Sequence, residues 1–166
     1  KDAVWADGVP MTSKDVRYSW QTAKDNDVAW TGNSIKDFID DVKIIDDKTC
    51  ALHYTAVYPY QVMDANDGYI LPKHVFAKTG YETWKNKDSW TAEAGVAGGP
   101  FRIVEYTAQQ QVVMEANPKY LRAGLPRIQK ITFRIIKNQQ SQLDALLSGG
   151  IDALQTLRPQ DARRVL

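Results

Sequence analysis

Residues 5–20, Trp5-Ala6-Asp7-Gly8-Val9-Pro10-Met11-Thr12-Ser13-Lys14-Asp15-Val16-Arg17-Tyr18-Ser19-Trp20, carry the pattern from which the rest of the chain can be read. Thr12 and Asp15 stand three apart at the head of an apolar-periodic run. That is the spacing of a capping box, in which side chains satisfy amides that the first helical turn leaves unpaired. Val16, Trp20 and Ala23 then recur on one face, so the spacing predicts a helix over 13–24. A helix with one bulky apolar stripe has to bury it against another element. Val42–Ile45 and Cys50–Tyr54 are β-prone runs around Asp46-Asp47-Lys48-Thr49, which reads as a hairpin.

Farther out, the signals alternate. Asp25 to Ser34 is polar apart from Val28 and Trp30 and reads as a loop that holds one large aromatic. Tyr58-Pro59-Tyr60 ends the hairpin arm, and Asp64 to Gly68 reads as a turn. Pro72 opens a short helix through about Lys78, with Gly80 at its stop. A polar stretch from Tyr81 to Glu93, holding Trp84 and Trp90, leads to Gly95-Val96-Ala97-Gly98-Gly99-Pro100, the sharpest break in the sequence and the expected subdomain boundary. Phe101–Tyr106 and Gln111–Ala116 form a second hairpin stopped by Asn117-Pro118. Ile131, Phe133 and Ile135 alternate in a further strand. Asn138 caps a helix in which Leu143, Leu146 and Leu147 share a face, and Gly149 ends it. Ile151–Leu154 resumes an extended run, so Lys130 to Leu154 reads as strand, helix, parallel strand with a right-handed crossover. Arg158-Pro159-Gln160-Asp161 opens a last helix. The fold class is α/β, a mixed sheet with helices, with Trp20, Phe101 and Phe133 in its core.

Composition removes several function classes. Of 166 residues, 21 are Lys or Arg and 20 are Asp or Glu, a net charge of +1, which leaves no general nucleic-acid footprint. No apolar run approaches the roughly 18 to 20 residues of a membrane span. Cys50 is the only cysteine and forms no internal disulfide. Cys50 and His53 have a metal-ligand spacing, but three residues along a strand point to opposite faces. His74 is expected to make a local polar contact. Asp64-Ala65-Asn66-Asp67-Gly68 starts like a calcium loop, yet its glycine comes one position early and Val75 stands where the bidentate glutamate belongs. Gly95 to Gly99 lacks the order of a phosphate-binding loop, and two histidines leave little scope for a triad. No catalytic residue, metal site or cofactor is expected. The aromatics, five Trp and eight Tyr, point instead to binding. Trp30 is equally a packed loop residue or a wall for a ligand, and Tyr69 has the same two readings with packing ahead.

The order of motifs is more specific than any one of them. Trp5 to Ser19 resembles the W-x-D-G-x-P-x-T-x-x-D-V-x-x-S segment of the family 5 extracellular solute-binding proteins, the peptide, dipeptide and nickel receptors of ABC importers. Val42 to Leu52 resembles that family's hairpin, with V-x-x-x-D-x-x-T matched by Val42, Asp46 and Thr49, and Ile70-Leu71-Pro72-Lys73-His74 resembles its I-L-P-K-H turn. Val96 to Phe101 is similar to V-G-T-G-P-F, Asn117 to Tyr120 to N-P-x-Y, and Gly149 to Asp152 to G-E-I-D. Ala97 and Gly98 stand for the usual Gly and Thr, and Gly150 for the usual Glu, all at bends.

The resemblance implies a periplasmic-binding-protein type II-like lobe. Residues 1–95 would be the accessory subdomain of the first lobe, and 96–166 the middle part of the main lobe, an internal fragment that stops before the second lobe. It implies a receptor, not an enzyme, that captures a peptide or similar small solute and delivers it to an ABC permease. Such a receptor is periplasmic, or a membrane-anchored lipoprotein in a Gram-positive host, binds no nucleic acid, and is a monomer when full length. Trp30 fits the family's cleft aromatic, and the stretch before I-L-P brings Asp67, Gly68 and Tyr69 to the ligand. The other reading of the same fold is the ligand-sensing domain of a transcriptional regulator.

Overall fold

The computed structural model describes residues 2–26, 37–57, 59–66, 68–81 and 95–165. Helix α1 spans Ser13–Asp25, one residue beyond the expected end, and its capping box forms. The Asp15 carboxylate reaches back to the Thr12 amide at 2.8 Å and is met by the Thr12 hydroxyl at 3.2 Å. Strands β1 (Ile39–Asp46) and β2 (Thr49–Tyr54) pair antiparallel around the expected turn. The stripe of α1 lies on this hairpin: Trp20, Ile39 and Val42 are buried together, with Val16, Cys50, Leu52 and Tyr54 packed around them. The Trp20 indole N–H donates to the Ile39 carbonyl at 3.3 Å, which leaves no polar group stranded by that burial. Lys24 Nζ sits over the Trp20 ring, 4.8 Å from its centre.

Two short helices follow, α2 (Gln61–Asn66) and α3 (Lys73–Phe76). The turn expected at Asp64–Gly68 is therefore corrected in part, since Asp64 to Asn66 belong to α2. Gln61, Val62 and Met63 extend a helical backbone there that the polar residues alone did not suggest. Pro72 precedes α3 as expected, and Gly80 follows at a positive φ of 73°, a conformation glycine adopts without strain.

A second sheet comprises β3 (Phe101–Thr107), β4 (Gln111–Ala116) and β5 (Lys130–Arg134), all antiparallel, in the order β3-β4-β5. Asn117, 1% exposed, fixes its base, with its side chain donating to the Gly99 carbonyl at 2.9 Å and accepting from the Lys119 amide at 3.0 Å. Helix α4 (Gln139–Leu147) starts at Asn138, whose side chain accepts from the Ser141 amide, and buries Leu143. A short 3-10 turn (Pro159–Asp161) and α5 (Ala162–Val165) end the described chain.

Two expectations fail in this half. Ile151–Leu154 forms no strand, because a strand exists only by exchanging hydrogen bonds with a neighbour and these residues meet none among the described ones. The crossover unit is thus replaced by a three-stranded antiparallel sheet followed by a helix. Phe133 is not core but 55% exposed. It lies on β5, at the sheet's edge among the described strands, where its alternation points it to a face that no described element covers. The two aromatics should separate accordingly in urea unfolding. Trp20→Ala is expected to cost about 3–5 kcal/mol and Phe133→Ala under about 1 kcal/mol; equal losses would show the core misplaced.

Candidate functional site

The candidate site is built around the segment that enters α3. Ser19, 3% exposed on α1, accepts from the Leu71 amide at 2.7 Å through its hydroxyl oxygen, and the same hydroxyl donates to the Asp15 carbonyl at 2.7 Å. Asp15, 4% exposed, accepts the Lys73 amide at 2.9 Å on the carboxylate oxygen that does not face Thr12. One turn of a helix thus clamps two alternate amides of the incoming chain. A buried acceptor and a buried donor each cost free energy alone, so the pairing specifies where Leu71–Lys73 must run. The residues just before the clamp face outward: Gly68 is half-buried, while Tyr69 and Ile70 are 67% and 50% exposed.

A second anchor lies at the N-terminal loop. His74 Nε2 and Asp7 Oδ2 are 2.7 Å apart, and each side chain is about a third exposed, 29% and 34%. The contact expected of His74 is polar but not local, since its partner is 67 residues earlier. Burial alone would raise the Asp7 carboxyl. The Val9 amide, the hydrogen bond and charge of His74, and Asp7's own amide outweigh it, so the group titrates below its ordinary value. An ionised Asp7 only accepts, so His74 Nε2 carries the donated proton. On the hairpin, His53 Nδ1 lies 2.5 Å from Asp40 Oδ1, and His53 points outward while Cys50 points to the core. The two therefore sit on opposite faces, as their spacing requires. Burial pushes the Cys50 thiol up. Among the described residues, no three of His, Cys, Asp and Glu gather as a metal site.

Of the residues expected at a ligand, Gly68 and Tyr69 stand together on the clamped segment. Trp30 and Asp67 lie outside the described residues, as do Trp84 and Trp90. The sequence reading missed Ser19 and Asp15 as organisers of this segment. Their signal was present in the i, i+4 spacing, which puts both on one helical face away from solvent-facing Arg17. Two shallow hollows, of about 420 and 580 Å³, flank β3 and share Arg102, and neither is lined by Gly68 or Tyr69.

Comparison with known proteins places these features in a family. The model for the bacterial extracellular solute-binding proteins, family 5, middle region, matches residues 1–165. A Brucella ovis protein assigned as an ABC transporter peptide-binding protein is 30% identical over 149 residues, 90% of this chain and 28% of that protein. The periplasmic oligopeptide-binding protein OppA of Salmonella typhimurium is 27% identical over 172 residues, 92% of this chain and 30% of OppA. The crystal structure of the ABC transporter substrate-binding protein CtaP from Listeria monocytogenes superposes with a TM-score of 0.77 at 29% identity, covering 99% of this chain and 33% of CtaP. The chain spans less than a third of the length of these two curated relatives. No helix among the described residues is long and apolar enough to cross a membrane.

The geometry makes two measurable demands. Ser19→Ala strands the Leu71 amide and should destabilise the chain by about 1–3 kcal/mol in urea unfolding. Because the folded Asp7 carboxyl titrates below its unfolded value of about 3.9, its contribution is fully present above that pH and is lost as pH falls through the folded value. Asp7→Asn should therefore flatten the acid limb of the stability profile below about pH 4, and an unchanged slope would remove Asp7 from the account.

Proposed function

Because the chain belongs to the family 5 bacterial extracellular solute-binding proteins, whose model matches residues 1–165, we propose that it is part of the receptor of an ABC importer. The receptor captures a peptide or similar small solute between two lobes and hands it, chemically unchanged, to a permease in the membrane. Residues 1–95 form the accessory subdomain of the first lobe, and 96–166 the middle part of the main lobe. The second lobe supplies the opposing wall. The near-complete family match carries this reading, and the transport names of the relatives favour it over the sensing domain of a transcriptional regulator. The receptor works outside the cytoplasm, in the periplasm or as a lipoprotein on a Gram-positive surface, as a monomer that binds no nucleic acid.

Within it, Trp30, Asp67, Gly68 and Tyr69 border the solute. Tyr69 supports this reading through its setting: the residue is 67% exposed, and the backbone two residues on is pinned by Ser19. A rigid backbone presenting an exposed aromatic loses little entropy on binding, which is what a recognition wall requires. The polar contacts that fix the solute's charged ends come largely from the second lobe. In the intact receptor, titrated with a mixed tripeptide-to-pentapeptide library, Trp30→Ala and Tyr69→Ala are each expected to weaken binding about tenfold without lowering the melting temperature. Parent-like affinity in both variants would take the wall away from these residues.

A further inference from the structure

Three ties converge on the loop Trp5–Gly8. The Ala6 amide donates to the Ala97 carbonyl at 3.0 Å, in the bend that leads into β3. Lys119 Nζ, from the turn after β4, donates to the Asp7 carbonyl at 2.9 Å. The Asp7 carboxylate accepts His74 Nε2 at 2.7 Å, from the first turn of α3. Gly8 makes the crossing possible: its φ is +97°, and a Cβ there would collide with Lys119 Nζ. Asp7 is thus held through its backbone by the second sheet and through its side chain by the segment that carries Tyr69.

The clamps on that segment differ in kind. Ser19 and Asp15 are buried on α1 and hold Leu71 and Lys73 to the same subdomain. The Asp7–His74 contact is partly exposed and is the tie, among those described, that runs from the segment to a residue also bonded to the second sheet. We propose that Asp7 is a positioning residue that couples the second sheet to the Gly68–Ile70 stretch through His74. A shift of Lys119 or of the Val96–Pro100 bend pulls on the Asp7 backbone, and the 2.7 Å contact transmits it to α3 and so to the residues just before it. This rests on Gly68 and Tyr69 bordering the solute; the coupling itself is a property of the chain and is measured without any ligand.

Among the described contacts Lys119 and His74 meet at Asp7, so an effect of one that depends on the other reports on that shared residue. Amide resonances and amide exchange of Gly68, Ile70, Leu71 and Lys73 in the full chain read this out. Lys119→Met is expected to shift the Gly68–Leu71 amides in the parent and to shift them at least twofold less in a His74→Leu background. His74→Leu is also expected to speed exchange of the Leu71 and Lys73 amides about fivefold. His74→Gln, whose amide places a donor near the position of Nε2, should restore both, which a role in mere space-filling would not do. Equal Lys119→Met shifts in the two backgrounds, no shift in the parent, or no rescue by glutamine would overturn the proposal. Those outcomes are independent of the peptide titration, so a failed solute wall and a failed coupling are told apart.

Discussion

The side chain of Asp15 is the constraint on which the first half of the molecule depends. It is 4% exposed, and a buried carboxylate costs free energy unless donors surround it. Its two oxygens are divided between the Thr12 cap, which starts α1, and the Lys73 amide, which starts α3. One residue therefore begins one helix and docks a second element 58 residues later. Ser19, a turn along, repeats the arrangement with a hydroxyl that donates down the helix and accepts across. With the apolar stripe of α1, Trp20 above all, committed to Ile39 and Val42 on the hairpin, α1 has two occupied faces, one dry and one hydrogen-bonded.

The second half follows a different logic. Its sheet is held by ladders and by Asn117, whose amide side chain closes the bend at Gly99. Contact with the first half runs through the N-terminal loop and close packing at Gly98, where a Cβ would collide with Met11 and come within 3.3 Å of the Trp5 ring. Trp5, 3% exposed, is thus buried at the junction and not within either sheet. The family motif W-x-D-G reads physically as a joint: an aromatic wedge, an acid that ties two ways, and a glycine that lets a lysine approach.

What could be read from the sequence was whatever local chemistry fixes. The capping box, both hairpins, the Asn138 cap and the glycine stop after α3 each depend on residues within a few positions of one another, and each formed. Phe133 and Ile151–Leu154 fail for the opposite reason: burial and strand pairing depend on neighbours that periodicity does not supply. His74 shows the same limit at the site, since a histidine's need for a polar partner is evident in sequence but a partner 67 residues away is not. Tyr69 reads from the sequence with packing ahead of recognition, and its 67% exposure is set by long-range neighbours that the sequence pattern does not supply.

The motif residues that hold the backbone and the exposed residues just before the clamp are physically distinct in role. Trp5, Asp15, Ser19 and Pro72 are buried, and Asp15 and Ser19 spend their polar atoms on holding the incoming backbone. Changing either of these two removes a tie that sets where Leu71–Lys73 runs. Tyr69 and Ile70 lie immediately upstream of that fixed point and are 67% and 50% exposed. Substitution at such exposed positions changes the chemistry presented and opens no core cavity. A buried clamp followed by exposed side chains separates what holds the backbone from what the surface presents, so similarity in the motifs identifies the scaffold while the residues beside the clamp stay open to vary.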